Sequence, residues 1–160
     1  MLRAREAGGS ERLLRMTVSA AQPADLPAIR ALLAANELPA ADLTPAHLGS
    51  FWVLRDPAGL AGVVGLELRG RASLLRSLAV RADQRGCGVG TALLAHAEAK
   101  AGELGVDTLY LLTTTAGSYF ARRGYAVTPR DAAPAALQAT AEFAEICPAG
   151  SVCMTKRVES

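Results

Sequence analysis

The sequence predicts an α/β fold of the α+β kind: one mixed sheet with helices on its faces. Three observations predict it. A block of β pattern from Phe51 to Val80 is cut by tight turns into three strands, and such short connections make an antiparallel meander. The apolar period then becomes helical, with Val89, Leu93, Ala97 and Ala101 stepping by four, and a strand pattern succeeds it at Thr108–Thr113. A strand–helix–strand unit crosses over right-handed, which sets Thr108–Thr113 parallel to Leu74–Val80. Finally, 51% of the 160 residues are hydrophobic and only 4% aromatic, so the core is built of Leu, Val and Ala.

Residues 1–15 read as an N-terminal extension: the tract MLRAREAGGSERLLR is charged, has no apolar signal core, and carries two Glu that transit peptides avoid. Residues 16–158 read as a single domain. Thr17–Ala20 is a short strand. Asp25-Leu26-Pro27 opens a helix through Asn36, with Asp25 as cap and Pro27 in the first turn. Thr44-Pro45 opens a second short helix through Leu48. The three meander strands are Phe51–Arg55, Leu60–Leu68 and Leu74–Val80, the first two joined by the turn Asp56-Pro57-Ala58-Gly59. The long amphipathic helix ends at Gly105. After Thr108–Thr113 come a helix over Ala116–Arg123 closed by Gly124, a strand at Tyr125–Thr128, a helix over Ala133–Ile146 and a last strand at Val152–Arg157. That makes a six- to seven-stranded sheet.

Charge and cysteine content exclude several functions. Seventeen Lys and Arg against fifteen Asp and Glu leave +2, too little to grip a nucleic-acid backbone. No apolar run approaches a membrane span. Three scattered cysteines, Cys87, Cys147 and Cys153, are no disulfide framework, and the expected location is cytoplasmic. Their spacings fit no zinc pattern, and they read as small core residues rather than ligands for a metal or for arsenic.

The strongest chemical signal is the loop Arg85-Gly86-Cys87-Gly88-Val89-Gly90-Thr91 between strand and helix. Glycines let a ligand approach the main chain, and the first N–H groups of the helix lack internal partners. With the helix dipole these make an anion site suited to a phosphate. A Walker loop is absent, and the dinucleotide fingerprint fails because position 91 is Thr.

Arg85-x-x-Gly88-x-Gly90 after the strand LLRSLAV resembles the acyl-CoA pyrophosphate motif of the GNAT superfamily of N-acetyltransferases. A second stretch agrees: Thr113-x-x-Ala116-x-x-Tyr119-Phe120-x-x-x-Gly124-Tyr125 has the spacing of a motif that comes after the next strand in that family. The resemblance runs from Met16 to about Val158 and implies a sheet with a central parallel pair that splays apart. Within the family, LLRSLAV, Thr113-Thr114-Thr115 and Glu142-Phe143 with Cys147-Pro148 resemble the arsenic-resistance branch. That branch implies an amino-bearing organoarsenical or an amino-acid-like antimetabolite as acceptor.

The resemblance implies acetyl transfer from acetyl-CoA to a small-molecule amine by direct attack. The pyrophosphate would lie on Arg85, Gly86, Cys87, Gly88, Val89 and Gly90, with the Thr91 hydroxyl; Thr113 takes the place of a usual Asn. The pantetheine arm would pair with Leu78, Ala79 and Val80 like an added strand, and the N–H near Leu78 would polarise the thioester. Glu67, acidic inside an apolar strand, is the candidate base, against the reading of an ordinary solvent-facing Glu. Alternation puts Arg76 and Ser77 on opposite faces of their strand, so at most one of the two can face the substrate readily. Arg76 either binds a substrate carboxylate or pairs with an acid elsewhere. Asp42, in the loop Asn36–Asp42 that shapes the substrate site in relatives, either binds a cationic amine or caps the Thr44 helix. Phe120 fills the slot where many relatives carry a Tyr that protonates the leaving thiolate. Two other readings stand beside the enzyme: an acyl-CoA-binding module without catalysis, and an acetyltransferase of proteins. Many relatives dimerise through their last strands. His47 and His96 read as surface or cap residues.

Overall fold

The structure is a computed structural model, and it describes residues 17–146 and 150–159. The N-terminal extension, Met16, Cys147 and Pro148 lie outside the described residues. Seven strands form one sheet: β1 (Ser19–Ala20), β2 (Phe51–Asp56), β3 (Gly59–Arg69), β4 (Ala72–Val80), β5 (Thr108–Thr113), β6 (Ala126–Val127) and β7 (Val152–Arg157), in the order β1-β2-β3-β4-β5-β7-β6. All neighbours are antiparallel except β4 and β5. That is the mixed sheet with one parallel pair.

Helix α1 (Leu26–Ala35) and a 3₁₀ segment at Pro45–Ser50 cover one face. Helix α2 (Val89–Glu103) covers the other. The period-two alternation of β2 feeds both: Trp52 and Leu54 enter the α2 core, Phe51 and Val53 the α1 core. Gly105, in the left-handed region at φ 85°, ends α2, and the Val106 N–H closes back on the Ala101 carbonyl at 2.9 Å. Asp25 does not cap α1 with its side chain. Its carboxylate turns back to the Gln22 N–H and pairs with Arg55, both at 2.7 Å. The cap at Thr44 is a reciprocal box with His47, which leaves Asp42 for other work.

The single helix expected over Ala133–Ile146 is instead two short pieces. A 3₁₀ turn at Arg130–Ala132 precedes the short helix Ala135–Gln138, and a wide turn comes after it at Glu142–Ile146. The break falls at Thr140, whose hydroxyl donates to the Leu137 carbonyl at 2.7 Å and so competes with the helical ladder. In chain order the two short helices are α3 (Gly117–Ala121), after β5, and α4 (Ala135–Gln138).

Both edges of β4 are irregular. Its ladder with β5 covers only Ala72↔Thr108, Ser73↔Leu109 and Leu74↔Tyr110, although both strands continue. Beyond Leu74 the strands part into a V-shaped slot. On the other edge, Val63 pairs with Ala79 but Gly65 with Arg76, so Ser77 and Leu78 together oppose Val64. This is a β-bulge, with Ser77 in the left-handed region at φ 63°.

Across β2 and β3, Gly65 faces Phe51 in register, and a Cβ built on Gly65 would lie 2.3 Å from the Phe51 ring. Gly65→Ala therefore overpacks a ring with no exposure and is expected to cost about 1–3 kcal/mol in urea unfolding. Gly49→Ala, where a Cβ meets nothing within 4 Å, should stay within about 0.5 kcal/mol.

Candidate active site

The glycine loop behaves as its composition dictates. Gly86 and Gly88 both adopt positive φ, at 79° and 85°. The Ala92 N–H closes the first turn of α2 on the Gly88 carbonyl at 3.0 Å, so the N–H groups of Val89, Gly90 and Thr91 lack partners in their own helix. They open on a cavity of about 660 Å³, lined by Leu78, Ala79, Val80, Arg85, Gly86, Gly88, Val89, Gly90 and Thr91 on one side and by α3 on the other. Cys87 is the loop residue that does not line it.

Arg85 gives a guanidinium bond to Asn36 Oδ1 at 2.7 Å. A second cation, missed in the sequence, stands opposite. Arg123 stacks on the Tyr119 ring at 3.6 Å and donates to Thr91 Oγ1 at 3.1 Å. The motif spacing sets Tyr119 and Arg123 one helical turn apart, but gives no reason to weigh Arg123. The Tyr119 hydroxyl is buried against Gly90 without a hydrogen-bond partner among the described residues.

A second cavity of about 270 Å³ continues from the first, sharing Asn36, Leu78, Thr115, Ala116 and Phe120 with it. Its remaining wall comes from the Asn36–Pro39 loop, from Arg76 and Ser77, from Thr113 and Thr114, and from Glu142 and Ser151. Thr113 thus borders the inner cavity rather than the glycine-loop cavity, and its hydroxyl accepts the Ala116 N–H at 3.0 Å. Phe120 is buried between Tyr119 and Tyr125 in edge-to-face contacts.

The bulge overturns the alternation expected for Arg76 and Ser77. One extra residue in β4 lets both border the inner cavity, and Arg76 Nε donates to Ser77 Oγ at 3.0 Å. The Arg76 side chain has no solvent exposure and is ringed by acids. Nη1 reaches Asp42 at 2.6 Å and Glu67 at 2.7 Å, Nη2 reaches Asp42 at 2.9 Å, and Glu142 lies 3.4 Å from Nε. Asp42 is therefore committed to Arg76, and the cap of the Pro45–Ser50 segment comes from Thr44 and His47 instead. Burial alone would raise the Asp42 pKa, but the Arg76 hydrogen bonds outweigh that and hold the carboxyl below the ordinary range.

Glu67 is buried, contrary to a solvent-facing side chain, but it does not border the inner cavity. Its carboxylate is shared between Arg76 and Arg69. Glu142 is the acid that does border the cavity. Burial pushes its pKa up to about 7, with the Arg76 charge opposing and Glu67 and Asp42 reinforcing. A group poised there suits proton transfer at neutral pH. The stretch Thr140–Ile146 reads as helix, so nothing in its spacing aims Glu142 inward.

The histidines and cysteines lie elsewhere. His96 is not on a solvated face: it packs edge-on against Trp52 at 5.7 Å, and burial lowers its pKa. Cys153 is buried beside Leu74 and Phe143. Among the described residues the grouping with ligand atoms close enough for a metal is Asp42, His47 and Glu67, and Arg76 already supplies the cation between its two carboxylates.

The raised pKa of Glu142 makes stability depend on pH. Its folded value of about 7 lies above the unfolded 4.5, so the protein binds more protons folded than unfolded between them. The stabilising effect is complete below pH 4.5 and is lost as pH rises through 7. In urea titrations, Glu142→Gln is expected to flatten this decline, which amounts to about 3 kcal/mol at about 1.4 kcal/mol per unit.

These features have counterparts in known proteins. Residues 47–127 match the acetyltransferase (GNAT) domain family. The chain is 32% identical over 90 residues to the amino-acid acetyltransferase of Neisseria meningitidis serogroup A, an alignment covering 55% of this chain and 21% of that protein. The chain thus spans about a fifth of the length of the curated relatives it matches. Its fold superimposes on N-acetylglutamate synthase from Neisseria gonorrhoeae, solved with coenzyme A and N-acetyl-glutamate, with a TM-score of 0.78 at 24% identity over 91% of this chain and 35% of that one. It also superimposes on Rv2747 from Mycobacterium tuberculosis, solved with CoA, with a TM-score of 0.74 at 20% identity over 89% of this chain and 99% of that one. With the family match covering half its residues and the splayed parallel pair in place, this chain belongs to the GNAT acetyltransferase family.

Proposed function

We propose that the protein transfers the acetyl group of acetyl-CoA to the amine of a small molecule. The observation that carries this reading is the junction at Leu78. There the glycine-loop cavity and the inner cavity meet on the edge of β4 that β5 has abandoned.

Each half of the reaction has its residues. The pyrophosphate lies on the N–H groups of Val89, Gly90 and Thr91, with the left-handed Gly86 and Gly88 curling the loop beneath it. Arg123 adds a positive charge across the slot. The pantetheine amides pair with Leu78, Ala79 and Val80, and the acetyl group ends at the mouth of the inner cavity. The N–H of Leu78, fixed by the bulge, polarises the thioester carbonyl.

The amine enters as an ammonium and loses one proton to Glu142. The neutral nitrogen attacks, forming the N–C bond, and the C–S bond breaks. The second N–H proton neutralises the departing thiolate, so ammonium and acetyl-CoA give amide, free thiol and one released proton. Ser77 and Glu67 act through Arg76, which they hold beside Glu142. The base role expected of Glu67 passes to Glu142 because Glu142 borders the cavity and Glu67 does not.

The tracts Leu74–Val80, Thr113-Thr114-Thr115 and Glu142-Phe143 support an arsenic- or antimetabolite-resistance setting, with an amino-bearing organoarsenical or an amino-acid-like antimetabolite as acceptor. The reduced cysteine complement supports a cytoplasmic one. No helix among the described residues is long and apolar enough to cross a membrane.

Calorimetry should detect acetyl-CoA and neither NADH nor ATP at equal concentration, and Arg123→Ala should weaken acetyl-CoA about tenfold or more, as a lost charged hydrogen bond does. No heat from acetyl-CoA would end the reading. Binding without thiol release from any amine would leave the non-catalytic acyl-CoA module instead. In turnover, kcat is expected to rise with pH through about 7. Glu142→Gln should lower kcat roughly 10²-fold with the KM for acetyl-CoA unchanged.

A further inference from the structure

The acetyl-transfer reading leaves the acceptor's chemical class open. Resting on that reading and narrowing it, we infer that the inner cavity accepts a cationic amine with no carboxylate beside the reacting nitrogen. The reason is the state of Arg76. A guanidinium has five N–H donors, and Arg76 spends all five within the fold. Nε–H goes to Ser77 Oγ at 3.0 Å; Nη1 serves Asp42 at 2.6 Å and Glu67 at 2.7 Å; Nη2 serves Asp42 at 2.9 Å and the Pro39 carbonyl at 3.4 Å.

Nothing else on that wall can replace it. Among the described residues lining the cavity, Arg76 is the one cation, while Glu37 and Glu142 are acidic. Counting the carboxylates of Asp42 and Glu67 behind it, the surroundings hold more negative charge than positive. An α-amino acid would bring its carboxylate into this excess, next to the amine, where like charges repel and the one lining cation is already fully engaged. An ammonium meets the opposite welcome. It lowers the energy of Glu142 and its acidic neighbours, and it has neutral acceptors to hand.

Ser151 is one of those acceptors, and it is an independent sign of a polar ligand. Its residue is buried, it lines the inner cavity, and its hydroxyl has no hydrogen-bond partner among the described residues. A buried hydroxyl left unpaired is costly, and a ligand's ammonium or hydroxyl would satisfy it. The hydroxyl-bearing Ser77, Thr113, Thr114 and Thr115 stand among apolar neighbours such as Leu75, Leu111 and Phe120 in a wall that is short of cations. The cavity, about 270 Å³, limits what enters to a compact amine. Its chemistry thereby departs from what their name says of the Neisseria relatives, which is that they acetylate amino acids.

The test is thiol release from acetyl-CoA with matched pairs: leucine and isoamylamine, tyrosine and tyramine, histidine and histamine. Decarboxylation does not lower the basicity of the amine, so any preference for it reflects the site and not a larger neutral fraction. The expected result is a kcat/KM at least tenfold higher for the decarboxylated member of each pair that turns over. Equal or better turnover of the amino acids overturns the inference and leaves the transferase reading intact. No thiol release from either member of any pair, with acetyl-CoA bound, overturns both. Asp42→Asn adds a second arm by loosening two of the five donors of Arg76. It should raise the kcat/KM of the amino acids relative to their amines about tenfold, and an unchanged ratio in a folded variant would mean that Arg76 is not what excludes the carboxylate. Should that variant fail to fold, the wild-type pairs decide the question alone.

Discussion

A guanidinium sealed from solvent must find all of its partners inside the protein, and Arg76 draws them from four separate stretches of chain. Pro39 and Asp42 come from the loop after α1, Glu67 from β3, Ser77 from β4 itself and Glu142 from beyond α4. Such a cluster is weak evidence for stability as such, since burying the charges costs about as much as their pairing returns. What it does fix is position. Removing one member strands the others in a low dielectric, at about 3–5 kcal/mol, so the loop and the segment after α4 are bound to the strand between them. Those two segments form opposite sides of the inner cavity.

The cluster in turn depends on the bulge. In a regular strand, neighbouring residues face opposite ways, and Arg76 and Ser77 would not border one space. Holding Ser77 at φ 63° costs on the order of 1 kcal/mol for a residue with a Cβ. The same extra residue turns the backbone of β4 just where β5 departs, leaving the groups between Ser77 and Val80 without a strand neighbour on that side. One local defect thus shapes the charged floor of the inner cavity beside the open edge of β4.

How far the sequence reveals this depends on how local each feature is. The alternation of Phe51 to Leu54, the four-residue stepping of Val89 to Ala101 and the stop at Gly105 are short-range patterns, and the elements form where they point. The loop from Arg85 to Gly90 is also local, since glycine spacing next to a helix start needs no tertiary partner. The bulge is different: two residues against one across β3 and β4 is a property of pairing, and LLRSLAV carries no glycine to announce it. Glu142 escapes for a similar reason. The run Ala133–Ile146 has helical spacing, and only the Thr140 side bond and the pull of Arg76 break it so that Glu142 turns inward. Glu67 is legible as an unusual acid in an apolar strand, yet what it faces is set by partners distant in sequence.

The loss of a tyrosine at Phe120 bears on which proton transfer the site must manage. A departing thiolate belongs to an acid of pKa about 8.5, so it leaves near neutral pH with little assistance, and a donor aimed at it contributes little. The incoming amine is the harder case, because an ammonium of pKa about 10 is almost wholly protonated at pH 7 and cannot attack. Catalytic pressure therefore falls on removing that proton. Phe120 offers no donor and adds apolar bulk where the two cavities meet, while in the proposed reaction Glu142, its pKa pushed up to about 7 by burial against the opposing charge of Arg76, would take that proton. In that proposal the first proton goes to this carboxylate and the second, released as the amide forms, to the sulfur, so the balance closes without a phenol.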